Sequence, residues 1–476
     1  MKKIILNFCI LFITTVAFSQ AGHIMQGVGA VNMSMGGAAT AQPLDISGAL
    51  HWNPAAISVF NNKIGTLSAG AFFSSPELFS SVPTGTPLGT LSGSTEDDRG
   101  TSIMPAIAMV WGKEGSKHTF GVSAFGISGF GVTFPENTNY PGDLQGNPNP
   151  NFNPNNPLNP INFPQFAGGF GRVESDYILL QVGFAYAYEL SDKVSIGIQP
   201  TVNYATLQLE PSPLSAPSQT LGYPKTDKAS AIGFGGQIGV FYDSGKVLKL
   251  GASYKTKQYF SDFGFKNKYL DGSDAPDVDF KMNYPAIWSV GMGLSGKKID
   301  FALDFRYVDY ENTEGFEKSG WQIANSGPFA GFPTGAVNGF GWKNMTIVSA
   351  GLQYKVTEKF PVRIGYTYSS NPITDELAFF SIPATAVIRD AGQIGFGYQV
   401  NDKFEINAVY HHGFRGRGSK GSLLNPRPDI DANGDGFPEG PWNATTNPLG
   451  VVPGSSVSYK METSMVQLTV NYIFGK

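Results

Sequence analysis

The sequence predicts an all-β fold, a transmembrane barrel of about fourteen antiparallel strands with a plug formed by its N-terminal segment. Three observations carry that prediction: stretches in which apolar and polar residues alternate with a period of two, an export signal at the start, and a non-alternating segment between the two. The final stretch shows the alternation most cleanly. Val466, Leu468, Val470, Tyr472 and Phe474 share one parity, and Gln467, Thr469 and Asn471 the other, which suits a strand with one face in lipid and one toward a polar lumen.

The start of the chain sets the compartment. Lys2 and Lys3 precede an apolar run from Ile4 to Val16, and Ala17 and Ser19 offer a cleavage site before Gln20, with a cut after Ala21 as the alternative. Residues 1–20 are therefore read as a signal peptide. Cys9 lies inside the apolar run without the small residues of a lipoprotein site, so the mature chain carries no cysteine, and disulfides, zinc–thiolate sites and cysteine catalysis drop out. No other segment has the roughly 18 consecutive apolar residues of a membrane helix. Charged residues make up only 15% and aromatics 13%, with 59 Gly, which fits a barrel with aromatic girdles better than a soluble enzyme surface. The formal charge is −4 and falls further when Lys2 and Lys3 leave, so there is no basic field for nucleic acid.

The strands follow in order from the first, near Ile64 to Phe73. The clearest hairpin has Ile178, Leu180, Val182, Phe184, Tyr186 and Tyr188 on one face, a turn at Ser191-Asp192-Lys193, then Val194, Ile196, Ile198, Val202 and Tyr204 on the same face. These should face lipid, and Gln181, Gly183, Ser195, Gln199 and Asn203 the lumen. Short turns at Asp243-Ser244-Gly245-Lys246, Ser295-Gly296-Lys297-Lys298, Thr357-Glu358-Lys359 and Asn401-Asp402-Lys403, with a sixth between Trp111 and Thr119, join further strands. They alternate with seven long polar loops. Short turns belong to the periplasmic side, so both termini should be periplasmic. The longest loop, from Phe130 to Ser175, contains a Pro- and Asn-rich tract whose prolines cannot serve a sheet ladder.

Between the signal and the first strand, residues 21–61 show no alternation and are rich in small side chains, including Met35-Gly36-Gly37-Ala38-Ala39, followed by Asp45 and by Asn53-Pro54-Ala55. A segment of this kind beside a barrel wide enough to be hollow is most economically placed inside it. The glycine-rich stretch, Asp45 and Asn53-Pro54-Ala55 just before the first strand resemble the FadL-type family of outer-membrane transporters for long-chain fatty acids and hydrocarbons. The resemblance implies a fourteen-stranded barrel over residues 62–476, an N-terminal hatch with Asn53, Pro54 and Ala55 as its motif, and a third strand kinked to open sideways toward the bilayer. The third strand, Phe120 to Gly131, holds four glycines, which weaken a strand and mark bends; Gly126 and Gly129 are the expected kink. The competing reading is that its glycines relieve crowding against the hatch. The chain ends Phe474-Gly475-Lys476 rather than on an aromatic residue, a departure from the usual assembly signal.

The function so implied is passive, non-enzymatic uptake of a hydrophobic molecule, by a monomer whose partners are that molecule and outer-membrane lipid. No cofactor is needed: burial of about 0.8 kcal/mol per methylene drives the transfer, and no phosphate-binding Gly-x-x-x-x-Gly-Lys-Ser/Thr loop occurs. Lumen parity turns Arg306 and Arg363 inward, where they are candidates for a substrate carboxylate; ion-paired barrel filling is the alternative. If both are fully paired to carboxylates, a neutral hydrocarbon becomes the better substrate. A secretion role is the alternative function, because shuttle proteins of type IX secretion resemble this family and share a Trp-Asn-Pro-Ala-like stretch.

Two other patterns stand out. Asp429, Asp431, Asn433 and Asp435 place oxygen side chains at alternate positions with Gly434 and Gly436, which suits a calcium loop although the twelfth-position Glu is missing. An ordinary polar turn is the competing reading. His411-His412 and His51 have no serine or acidic partner placed by sequence to make a hydrolase and are read as packed or interfacial residues.

Overall fold

A computed structural model describes residues 22–84, 89–156, 158–431, 434 and 438–474. The expected signal peptide over residues 1–20, together with Asn433 and Asp435, falls outside the described residues. Among the described residues, fourteen wall strands belong to one antiparallel sheet, which the short strands Glu77–Pro83, Thr90–Glu96 and Tyr259–Phe260 extend: β1 (Lys63–Ser74), β2 (Thr101–Trp111), β3 (His118–Phe134), β4 (Val173–Ser191), β5 (Val194–Glu210), β6 (Ala229–Asp243), β7 (Leu248–Lys255), β8 (Ala286–Ser295), β9 (Ile299–Asp309), β10 (Met345–Thr357), β11 (Phe360–Ser369), β12 (Asp390–Gln399), β13 (Phe404–Gly421) and β14 (Ser456–Phe474). The sheet closes on itself because β1 pairs with β14, Lys63 opposite Phe474 through Ser74 opposite Thr463. Closure at this seam leaves neither the first nor the last strand with an edge to lipid, which a spanning sheet requires. The six short turns and seven long connections fall where the alternation places them. Among the described residues no helix is long and apolar enough to cross a membrane.

The period-two pattern sorts the side chains as expected. On β4 and β5, Ile178, Phe184 and Ile198 are about half exposed, while Gln181 and Asn203 between them are at most 3% exposed. The outward residues meet lipid; the inward ones bond to each other, with Gln181 Nε2 donating to Asn203 Oδ1 at 2.8 Å. Aromatics flank the apolar band. Tyr472 packs against Phe404 and Phe474 at the short-turn end, and Trp288 against Tyr254 and Tyr307 nearer the long loops.

The N-terminal segment lies inside this wall. It holds two short helices, α1 (Ala30–Ser34) and α2 (Ile46–Trp52), and a 3-10 turn (Pro54–Val59), nearly all of it buried. Asp45 caps α2 by accepting the Gly48 N–H at 3.2 Å. The wall meets this segment with bare backbone. A Cβ added at Gly197, Gly239, Gly251, Gly351, Gly365 or Gly395 would strike hatch atoms from Ser34 to Ala55. These inward glycines, on β5, β6, β7, β10, β11 and β12, let the hatch backbone approach the strands directly.

Candidate functional site

Asn53 explains why the hatch motif has its residues. Its side-chain amide donates to Thr40 O at 2.8 Å and to Val240 O on β6 at 3.0 Å, while its Oδ1 accepts the Ala55 N–H at 3.1 Å. Pro54 opens the 3-10 turn, where a missing N–H costs nothing, and Ala55 lies against Gly197 on β5. The motif thus ties two parts of the hatch to each other and to the wall.

Arg306 and Arg363 both point inward, as parity requires, and both are buried. Arg306 Nη2 lies 2.5 Å from Asp304 Oδ2 and 2.8 Å from Gly37 O, and its guanidinium stacks over the Trp52 ring at 3.6 Å. Asp304 Oδ2 in turn accepts the backbone N–H groups of Ala39 and Thr40, each at 2.9 Å. The pair is a clasp between β9 and the hatch. Arg363 donates to Gln353 Oε1 at 2.6 Å and Asn407 Oδ1 at 2.9 Å, crossing between wall strands. The calcium pattern is only partly in view. Asp431 Oδ1 accepts the Gly434 N–H at 2.7 Å, as in a polar turn, and among the described residues no group of three His, Cys, Asp or Glu side chains is placed to hold a metal.

The third strand departs from a regular ladder. Gly126 pairs with Leu180 and Ser128 with Leu179, so Ile127 is an extra residue, a β-bulge. Lumen-facing positions are odd before it (Gly121, Ser123, Phe125) and even after it (Ser128, Val132, Phe134). On the other side, β2 pairs with β3 only from Ala106 opposite Phe125 to Trp111 opposite Phe120. The ladder ends at Pro105, which has no N–H to offer. Beyond it β2 stays paired with β1, and β3 with β4. The wall therefore parts between β2 and β3 in the half nearer the long loops.

The start of the hatch takes up the freed edge of β3. Ile24 forms an antiparallel bridge with Ser128; the Met25 N–H donates to Ile127 O at 3.0 Å, and the Gly129 N–H to His23 O at 3.2 Å. His23 anchors this segment in an aromatic cage, stacked on Phe316 and bonded through Nδ1 to the Tyr310 hydroxyl at 2.8 Å. Burial pushes its pKa down to about 3, so the ring is neutral. The same desolvation holds His51 well below the ordinary histidine range.

A cavity of about 610 Å³ fills the parting. Its walls include Ile103 and Ile178, which face lipid, and Met25, Phe72, Tyr177 and Met461, which face inward. Its lining thus draws on both faces of the wall, and its methionines give it adaptable apolar surface. Neither Arg306 nor Arg363 lines it. A second, smaller apolar hollow of about 60 Å³ lies among the long loops, between Ile161, Phe170, Trp321, Phe379 and Phe380.

The glycines of β3 differ in what they do. Gly121 makes room for hatch Leu50, as the crowding reading expects, whereas a Cβ at Gly126 would meet only Met104 and Pro105 across the gap at ordinary distances of 3.7 Å or more. Sequence reasoning missed Pro105 and Ile127. A proline inside an alternating strand is a signal of an unpaired edge and could have located the parting.

Asp45 is expected to give the hatch a pH dependence. Burial pushes its pKa up to about 7, above the ordinary carboxyl value near 4 that it regains when the hatch leaves the barrel. Between those values the docked hatch holds a proton that the undocked one releases, so docking weakens as pH rises through that window. Asp45→Asn, which keeps the cap, should remove the difference in sugar leak between about pH 5 and about pH 8 in reconstituted vesicles. An unchanged difference would assign the effect elsewhere.

Comparison with known proteins bears on this architecture. No curated protein sequence matches the chain. Among solved structures, the toluene transporter TodX of P. putida is similar at 16% identity and a TM-score of 0.63, covering 95% of this chain and 99% of its own. The toluene transporter TbuX of Ralstonia pickettii gives 15%, 0.59, 94% and 99%, and a FadL homologue of Pseudomonas aeruginosa 14%, 0.65, 96% and 100%. At these identities the likeness establishes the fold. The family model for "Outer membrane protein transport protein (OMPP1/FadL/TodX)" matches residues 162–425, more than half of the chain. A closed fourteen-stranded barrel filled by its own N-terminal segment and matched by that model belongs to the OMPP1/FadL/TodX family of outer-membrane transport proteins.

Proposed function

We propose that this protein takes up small apolar molecules through the outer membrane and hands them to the bilayer through the parting between β2 and β3. The observation that supports this most directly is the 610 Å³ cavity, whose lining includes inward-facing Met25 and Tyr177 and lipid-facing Ile103 and Ile178 where the ladder stops. A molecule gathered in the apolar hollow of the loops can pass inward along buried aromatic surface and leave sideways, and it needs no aqueous pore. The hatch blocks the axial route. Transfer is passive, driven by apolar area removed from water.

The substrate in this reading is recognised by apolar surface. Arg306 is occupied by Asp304 and the hatch, Arg363 by the neutral amides of Gln353 and Asn407, and neither reaches the cavity; the arginines that do line it, Arg99 and Arg172, are paired with Asp176 and Glu174. That favours a neutral hydrocarbon over a fatty carboxylate, in keeping with the toluene transporters and the monoaromatic hydrocarbon channel among the solved relatives.

Replacing Gly126 and Gly129 together by valine tests the route. Valine at Gly126 would fill the space toward Met104, and at Gly129 it would press on Tyr177 O, 3.1 Å from the added Cβ. Uptake of labelled toluene into reconstituted vesicles should fall to near the protein-free rate, while the barrel keeps its folded mobility on gels. Wild-type uptake by the folded variant would refute lateral release.

A further inference from the structure

We infer that Arg99 is a bolt across the outer end of the parting, and that it sets the largest molecule able to pass between β2 and β3. The inference rests on the lateral route proposed above.

Below Pro105 the two strands are held by a ladder; above it they are rejoined mainly by the three residues that lead into β2. The Asp98 N–H donates to Thr133 O at 2.8 Å, and Asp97 Oδ1 accepts the Thr133 N–H at 2.5 Å. Arg99 reaches further, over β3 and onto β4. Its Nη1 donates to Ser175 O at 2.8 Å and to Phe130 O at 3.4 Å, and its Nη2 lies 2.6 Å from Asp176 Oδ1. One guanidinium thus ties the connection that leads into β2 to both β3 and β4, at the rim of the cavity that it lines.

Gly131 on β3 is shaped for this crossing. A Cβ there would overlap Arg99 Nη1, so the guanidinium lies directly on the glycine backbone. Any side chain at this position would displace the bolt. The four glycines of β3 therefore do unlike work, and this one admits an arginine from outside rather than the hatch from inside.

Asp176 has a second partner, Lys228 Nζ at 2.5 Å. Removing Arg99 leaves that carboxylate paired and still partly exposed, so the loss frees the rim without stranding a buried charge. The energetic consequence should fall on the opening and not on barrel assembly.

The test is uptake of a size series, toluene, naphthalene and pyrene, by vesicles holding wild-type protein, Arg99→Met, Gly131→Ser or Lys228→Met. Arg99→Met and Gly131→Ser should each raise the rate for pyrene relative to toluene severalfold, whereas Lys228→Met, which removes the other partner of Asp176, should leave the ratio unchanged. An unaltered pyrene-to-toluene ratio in both folded bolt variants would overturn the inference, and so would an equal rise in Lys228→Met. The Gly126→Val, Gly129→Val double variant separates this from the route itself. If it stops all three probes while the bolt variants keep the wild-type ratio, the bolt alone is refuted; if it stops none, the lateral route is.

Discussion

Asp304→Ala is expected to turn the sealed barrel into a leaky one. The carboxylate accepts the Ala39 and Thr40 N–H groups and the Thr40 hydroxyl at 2.8 to 2.9 Å, and it pairs with Arg306 at 2.5 Å, both side chains being 1% exposed. Alanine leaves three hatch donors and a buried guanidinium without their acceptor, a loss of about 3–5 kcal/mol for a broken buried pair. The fourteen-strand ladder does not depend on that carboxylate, so the cost falls on hatch docking. Vesicles reconstituted with the variant should leak small sugars many times faster than those with the wild type, with the barrel still folded. Asp304→Asn, which keeps one acceptor oxygen, should leak less. A variant as tight as wild type would show that the other hatch bonds suffice.

Deleting Ile127 should abolish uptake while leaving a more regular barrel. With the extra residue gone, Gly126 and Ser128 become neighbours and keep their partners Leu180 and Leu179 on β4. Outward Gly126 is then followed by inward Ser128, and the alternation runs unbroken. The register that sets Phe125 opposite Ala106 would bring Gly126 to Pro105 and Ser128 to Met104, extending the β2–β3 ladder into the parting. Met25 would also lose its acceptor, Ile127 O. Labelled toluene uptake should drop to the protein-free rate, and resistance to heat in detergent should not fall. Ile127→Ala keeps the bulged backbone and should retain most of the transport. Transport by the deletion variant at the wild-type rate, with the barrel folded, would leave the bulge without a role in passage.

The barrel was legible because its strands are one-sided. Wherever one face meets lipid and the other a polar lumen, as from Ile178 to Tyr188, a period of two appears and a one-residue slip would be visible. The hatch was legible for the opposite reason, its lack of alternation and its small residues. The bulge was hidden because Phe125, Ile127 and Phe130 are apolar on both sides of the shift, so the sequence shows no change of parity there. Four glycines mark the region without ranking it, since one seats Leu50, one seats Arg99 and one faces open space across the gap. Arg99 itself sits in a polar connection that reads as solvated loop. Arg306 was placed correctly on the inward face, but its bond to the hatch depends on a tertiary approach that spacing does not encode.

The hatch has a further consequence for how the molecule is made. It is synthesised before any strand, yet it is bonded to strands along most of the wall: Ser128 on β3, Val240 on β6, Asp304 on β9 and, through the Ala30 N–H to Thr469 Oγ1 at 2.8 Å, β14 at the seam. Glycines on β5, β6, β7, β10, β11 and β12 leave the inner surface of the wall recessed to its outline. Such a segment can act as a mandrel, an object already in place around which later strands are rolled. On that basis the order of the chain is part of the assembly: moved to the C-terminus, the hatch would be missing as a former at the moment at which the sheet closes.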